Sequence, residues 1–425
     1  MKKTFQILIA LVLLPLARAD AVLDWNAIAA QTILTGGRPG PTAILDFAVV
    51  HATIHDAVQA YDQTFESYAS EISGATGSPA AAVAKATRDV LVNRFPTQTA
   101  AVDLAYGAYL TANTIAVDDP GIAVGQAVAA AMIALRANDG TFPFPAPVFN
   151  GSAEIGMWRP TPSFLPPPPA GFSSMAVVWL RDTTPFTLLS GDQFLVPAPY
   201  KTSSGLYTLE YNETKALGSS NSTVRTTAQT QLAYFYADNF VALAHRMLRG
   251  LAAKELDNSG DRARMLALTW LTAADGLIAA WTSKLEYPTW RPVTAIREGD
   301  ADGNKHTVGD RNWEPLINTP NYPDQASGAN TLMGGVTQML KQFFGTDNVT
   351  FDFNSLHPKA DPSVRTYHRF SDVSLDVVEV RIYQGIHFRS ADEDGRRLGR
   401  TVAKWVFENA LQPLGGSAEA GEEID

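Results

Sequence analysis

Cysteine is absent from the chain, so no disulfide braces it and its stability must come from a hydrophobic core. A surplus of positive charge is absent too: 33 lysines and arginines stand against 43 aspartates and glutamates, a formal balance of −10. That argues against nucleic acid or an anionic membrane as the main partner. Beyond the first residues there is no uninterrupted apolar run of the ~18 residues that a spanning helix needs, so no stable membrane span is expected. Nor is there strand-period alternation long enough to build a sheet. These absences leave an all-α protein, with ~400 residues for one large or two fused helical domains.

The first residues are a leader. Lys2 and Lys3 precede the short apolar core "FQILIALVLLPLA", and Ala17-Arg18-Ala19 is a small-x-small cleavage site. Residues 1–19 therefore read as a signal peptide, cleaved after Ala19, of an exported protein that is periplasmic or secreted. Losing Lys2, Lys3 and Arg18 leaves 30 basic against 43 acidic residues. A buried anion site in so acidic a chain would need its own local cations.

The organisation follows from periodicity and punctuation. An N-terminal helical region, 20–140, is Ala-rich, with apolar residues at three- and four-residue steps in "AILDFAVVHATIHDAVQAY" and "AAAVAKATRDVLVNRF". Between Pro143 and Pro199 lie 12 of the 26 prolines. Such density breaks long helices, so 141–206 reads as an irregular excursion, packed on the body through Trp158, Phe164, Trp179 and Phe186. Helices resume over 207–412 as a C-terminal bundle, ahead of a flexible acidic tail, 413–425. Two long core helices are expected first, the second capped by Asp261. A loop over 288–330, a helix over 331–344, another leading up to Arg381 and a last one over 392–411 follow.

Three short blocks carry candidate chemistry. In "KLEYPTWRP", Lys284 and Arg291 straddle a proline; alone, this is a helix C-terminus entering a turn. In "ASGAN", Ser327 and Gly328 open a helix whose positive end suits an oxyanion; alone, this is an N-cap. In "RIYQGIHFRSADEDG", Arg381 and His387 flank Gly385, where a turn could bring both to one pocket. Together they supply what an oxyanion needs: three cations, fixed donors and one imidazole nitrogen.

The ordered triple resembles the tripartite signature of the vanadium-dependent haloperoxidases and type 2 phosphatidic acid phosphatases. "ILDFAVVHATIHDAVQAY", "ADGLIAAWTSKLEYPTWRPVTAIR" and "RIYQGIHFRSADEDGRRLGR" are similar to the bacterial vanadium-haloperoxidase-like branch, over about 40–412. The resemblance implies a helical bundle with the anion in the core of its C-terminal part. It implies that Lys284, Arg291 and Arg381 hold equatorial oxygens of vanadate or phosphate, while Ser327 gives its hydroxyl and Gly328 its backbone N–H. His387 becomes the axial vanadate ligand of a peroxidase, or the phosphohistidine nucleophile of a phosphatase. Hydrogen peroxide and a halide or small organic molecule are the implied partners of the peroxidase, and a homodimer is a further expectation, since related folds pair.

The departures matter as much. The family's loop reads Pro-Ser-Gly-His, whereas here Ala326 and Ala329 replace the proline and the acid/base histidine. Positioned proton transfer is worth about 10²–10⁴ in rate, so anion binding should survive and turnover should fall. Val380 stands where a serine often precedes the arginine, and the acid after His387 comes one position late, at Asp392, leaving the partner of His387 open. Asn330 cannot titrate, His306 and His357 flank the loop, and Asp275 is expected to pair with an arginine. His51, His55 and Asp56 lack a third metal ligand and the Glu of H-E-x-x-H, so packing or capping is expected. The sequons at Asn212, Asn221 and Asn348 are set aside because the leader is of bacterial type. Three readings stay open: a peroxidase, a phosphatase, and a non-catalytic oxyanion-binding protein.

Overall fold

The computed structural model describes residues 20–162 and 174–415. The leader, Phe164 with prolines 166–169, and the tail from 416 onward lie outside the described residues. The N-terminal region forms helices α1 (Ala21–Thr35), α2 (Gly40–Asp62), α3 (Pro79–Arg94), α4 (Thr99–Ala112) and α5 (Pro120–Leu135). Their starts are chemically marked. The Asp20 carboxylate takes the Val22 and Leu23 N–H groups. Asp119 Oδ1 accepts from both Gly121 N and Ser78 N at 2.8 Å, so one carboxylate fixes the starts of α5 and α3 together.

After the excursion come α6 (Gly205–Leu217), α7 (Thr227–Phe235), α8 (Phe240–Glu255), α9 (Ser259–Glu286), α10 (Pro292–Arg297), α11 (Gly328–Phe343), α12 (Phe370–Tyr383) and α13 (Arg389–Asn409). The first of the two expected long helices is broken: α7 stops at Phe235 and Asn239 caps α8. Asn258, not Asp261, caps α9, accepting the Asp261 N–H at 2.7 Å. The expected loop over 288–330 contains α10, and α11 begins at Gly328, three residues early. The helical class holds, with one addition: β1 (Phe351–Asn354) and β2 (Val364–Tyr367) pair as an antiparallel ribbon. Strands of four residues are too short to show a period in sequence.

Helix α9 is the axis, with α2, α11 and α13 packed around it. It is apolar enough to cross a membrane by composition, yet 94% of that stretch is buried inside the fold. Phe47 of α2 stacks on Trp270 of α9 at 4.3 Å between ring centroids, and both are fully buried. Burying a side chain of that size contributes about 1.5–3 kcal/mol. Helices α11 and α13 touch backbone to backbone. A Cβ on Gly395 would lie 2.5 Å from Ser327 O, and one on Gly399 would collide with Thr331 O. The loop before α11 is therefore pressed against the first turns of α13, where Ser327 N donates to Ala391 O at 2.9 Å.

The excursion packs as expected through Trp158, Trp179 and Phe186. Its anchor corrects one expectation. Asp275, fully buried on α9, pairs with no arginine: it accepts the backbone N–H groups of Phe186, Thr187 and Leu188 and the Thr187 hydroxyl, at 2.6–3.1 Å. Four donors satisfy the carboxylate without a counter-ion. The α2 pair is also structural. His51 Nε2 meets Asn26 Nδ2, His55 Nε2 meets Glu66 O, and Asp56 takes the N–H groups of Tyr68, Ala69 and Ser70. Among the described residues no group of three or more His, Cys, Asp or Glu side chains could hold a metal ion.

Candidate functional site

Four segments deliver the six sequence-predicted residues to one place. The last turn of α9 brings Lys284; Arg291 is the residue before α10; Ser327 and Gly328 open α11; Arg381 ends α12. Gly385 then turns the chain toward His387. Its φ is +76°, and a side chain there would strike the backbone of Gly218, so both the conformation and the contact require glycine. Lys284, Arg291, Ser327 and His387 are at most 1% exposed and Arg381 is 7% exposed, so the charges are wholly inside the protein.

Buried cations need acceptors, and the 322–324 loop supplies them. Lys284 Nζ donates to Pro323 O at 2.7 Å and Asp324 O at 3.2 Å. Arg291 Nε donates to Tyr322 O at 2.7 Å, and its Nη1 to Ile386 O at 2.6 Å. Arg381 Nη1 donates to Gln384 Oε1 at 2.8 Å. Two donors remain without partners: Arg291 Nη2 and Arg381 Nε. Unpaired guanidinium nitrogens in a dry interior are costly, and a bound oxyanion satisfies both.

His387 has a carboxylate beside it that sequence reasoning missed. Its Nδ1 is 2.7 Å from Asp324 Oδ1, while Asp324 Oδ2 accepts Phe388 N at 3.2 Å. Asp392, the acid weighed from sequence, instead accepts Asn330 Nδ2 at 2.7 Å, and the same amide nitrogen donates to Ser327 Oγ at 3.2 Å. Asp324 lies in the same loop as Ser327, and its one sequence signal was a carboxylate three residues before the serine. Arg291 Nη1 is 3.1 Å from His387 Nδ1 and 2.9 Å from Nε2. One atom close to both nitrogens lies beside the carbon between them and along neither lone pair, so Nε2 keeps its lone pair for another group.

The electrostatics follow from burial. It pushes His387 well below the usual histidine range, helped by Arg291, Arg381 and Lys284, so the imidazole is neutral. Burial, then Arg291, pushes Lys284 well below the usual lysine range. Burial raises Asp324 to about 6 against the pull of Arg291 and Lys284, and lifts Asp392 well above the carboxylate range. Asp392 Oδ2 has no partner, and Asn330 Nδ2 stands between Asp392 Oδ1 and Ser327 Oγ. The site is a cluster of cations short of negative charge.

Ser327 occupies the cap position of α11, but its hydroxyl makes no capping bond; it accepts Asn330 Nδ2 at 3.2 Å instead. Ala329 follows, half-buried, and lines a cleft of about 340 Å³ that reaches Arg381. No titratable group replaces it from the flanking histidines. His306 is exposed and His357 stacks on Tyr234, and neither lines the cleft.

Known proteins resemble this chain in part of its sequence and in its fold. Residues 264–416, from α9 to beyond α13, match the family model of the VCPO second helical-bundle domain. Vanadium chloroperoxidase of Curvularia inaequalis is 28% identical over 193 residues, 35% of this chain, and the match spans 31% of that relative's length. Two solved structures share the fold. The first bacterial vanadium-dependent iodoperoxidase superposes with a TM-score of 0.77 at 21% identity, over 95% of this chain and 99% of its own. A holo-type bacterial vanadium-dependent chloroperoxidase gives 0.74 at 15% identity, over 93% and 98%.

Proposed function

We propose that this chain, whose residues 264–416 match the VCPO second helical-bundle domain, binds vanadate in the Lys284, Arg291, Ser327, Gly328, Arg381 and His387 cage and uses hydrogen peroxide to oxidise a halide or an organic molecule. We place this activity outside the cytoplasm, after removal of the leader at Ala19. The observation that carries the reading is the pair of unpartnered guanidinium nitrogens, Arg291 Nη2 and Arg381 Nε, beside a neutral His387. The donor set fits vanadate: three cationic side chains that would offset its charge, a hydroxyl and an N–H at a helix start, and one imidazole nitrogen.

When bound, vanadate supplies the Lewis-acidic centre at which peroxide is activated. The chain's residues do the rest. Asp324 orients the imidazole through Nδ1 and leaves Nε2 as the ligand atom. Lys284, Arg291 and Arg381 neutralise the anion in a water-poor interior, where each contact is strong. Burial lifts Asp392 well above the usual carboxylate range, and Asn330 Nδ2 links its Oδ1 to Ser327 Oγ, which makes it the candidate for the proton-moving group that alanine at 329 leaves out.

The test is equilibrium uptake of vanadate by purified protein and by His387→Ala, followed by peroxide-dependent bromination of a phenol-red-type dye by wild type and Ala329→His. The expected result is uptake that weakens at least about tenfold in His387→Ala, with bromination by wild type and faster bromination by Ala329→His. Failure of wild type to take up vanadate overturns the reading. The neutral, carboxylate-oriented His387 also suits a second reading, a phosphatase acting through phosphohistidine. That reading expects esters of acidic phenols to turn over far better than alkyl esters, because no acid at 329 protonates the leaving group. Tight anion binding without turnover on either substrate class identifies a non-catalytic oxyanion-binding protein.

A further inference from the structure

A second cavity adjoins Asp324 and shares no lining residue with the cleft. It measures about 50 Å³, and its lining includes Asp324 but not Lys284, Arg291, Arg381 or His387. Asp324 therefore touches both places: its Oδ1 meets His387 Nδ1 at 2.7 Å, and the same carboxylate forms part of the cavity wall. Tyr207 and Glu210, one turn apart on α6, and Ser390 at the start of α13 add polar groups to that wall.

Two of these groups need a partner. Tyr207 is 3% exposed, and its hydroxyl makes no hydrogen bond. The Trp290 indole beside it can only donate, so the phenolic proton lacks an acceptor. The ring is held edge-on to Phe388, with centroids 5.7 Å apart and planes at 65°. Glu210 is also buried, and its Oε2 accepts Ser390 N at 3.0 Å. The charges acting on Glu210 are those of Asp324, from the loop before α11, and Glu213, on its own helix. Glu213 is itself paired with Arg389 of α13. A buried water needs roughly 10–15 Å³ of room and about two to four polar partners, and the cavity offers both. A water there accepts the Tyr207 proton and donates its own to Glu210 and Asp324, which satisfies the phenol and both carboxyl groups.

We propose that this cavity holds a water joining Tyr207, Glu210 and Asp324, and that Glu210 acts through it as a positioning residue for the anion cage. The link runs from Glu210 through the water to Asp324, and from Asp324 to His387 Nδ1. An ionised Glu210 adds negative charge next to Asp324 and opposes an anion in the cage, whereas a protonated Glu210 does not. Burial, opposed by the Ser390 hydrogen bonds and reinforced by Asp324 and Glu213, raises Glu210 to about 7. The change of charge thus falls near neutral pH. The proposal rests on the cage taking an oxyanion and not on the reaction that follows.

The experiment is calorimetry of sulfate binding to the full mature chain on both sides of about pH 7, where sulfate keeps its own charge. Wild-type affinity is expected to fall by about tenfold as Glu210 ionises, and Glu210→Gln should lose that component. Glu213→Gln removes a carboxylate one turn along the same helix and should keep it. Any fall carried by His387 and Lys284 is common to all variants. A merely structural Glu210 would change the melting temperature and leave the pH course of sulfate affinity as it was. Independently of any variant, a crystal structure of wild type should show a water within hydrogen-bond distance of Tyr207 Oη, Glu210 and Asp324. The same pH course in wild type and Glu210→Gln, or a cavity without such a water, overturns the proposal. Failure of wild type to bind sulfate or phosphate removes the cage reading and this proposal with it; binding with one pH course throughout removes only the proposal.

Discussion

Asp324 Oδ1 and His387 Nδ1 stand 2.7 Å apart inside the protein, and both belong to loops that lead into helices of the C-terminal bundle. The carboxylate also takes Phe388 N, so it fixes the histidine ring and the backbone that carries it. Replacing Asp324 with asparagine is expected to lower vanadate affinity by about 10–100-fold, the usual cost of losing a ligand's oriented partner. Equilibrium dialysis against vanadate measures it, and unchanged affinity would show that His387 is positioned by its backbone alone.

Lys284 is an amine buried beside Arg291, so burial and a like charge both oppose its charged form, a destabilising arrangement in the absence of an anion. Lys284→Met is therefore expected to raise the melting temperature of the anion-free protein while weakening phosphate and vanadate binding. A variant that melts lower and binds equally well contradicts this account. The measurement is a pair of thermal melts, with and without saturating phosphate.

Anion binding should also take up protons. The pKa values of His387 and Lys284 are both depressed, first by burial and then by neighbouring cations. A bound anion offsets those cations and raises both values, so protons enter with the anion and affinity falls as pH rises. Calorimetry of phosphate binding in two buffers of different ionisation enthalpy reads the sign directly.

Stability carries two opposing pH signatures. His245 and His51 are held neutral by burial, at about 4 and about 3. Their contribution is full above the unfolded value of 6.5 and is lost as pH falls toward those folded values. Glu210 is raised by burial to about 7 from 4.5, so its contribution is full below 4.5 and lost as pH rises through about 7. The melting-temperature gap between wild type and His245→Gln should therefore narrow on acidification below 6.5. Glu210→Gln should gain on wild type as pH rises from 4.5 to about 7 and hold that gain above it. Parallel curves would mean that neither group titrates as its surroundings require.

Removing the Asp275 carboxylate leaves three amides and a hydroxyl of the excursion unpaired beside the core. Asp275→Ala is expected to cost about 3 kcal/mol or more in urea denaturation, with proteolysis concentrated near 186–188. Asp275→Asn, which keeps one acceptor oxygen, should cost less.

Much of this was legible in the sequence because it is local. Residue spacing around Pro288 and Gly385 and the Ser327-Gly328 pair are short-range patterns, and the cage they imply assembles from α9, α11 and α12. The roles of Asp275 and Asp324 were not legible, because each is decided by partners far along the chain. Asp275 faces amides 87–89 residues away, and Asp324 faces a histidine brought round by the Gly385 turn. The cap of α9 was misread: Asp261 was expected there, and the backbone places Asn258 in that position. Ser327 looked like a cap and holds that position, yet its hydroxyl is directed elsewhere.

The cage is drawn wholly from residues 284–387, whereas the cleft borrows Gly40, Pro41 and Ile44 from the first turns of α2. Admission thus draws in part on a segment of the chain that the cage does not use. On the proposed reading, changes in the first turns of α2 would retune which molecules reach the cage while every group assigned to the anion stays in place, leaving selectivity free to change without the anion site.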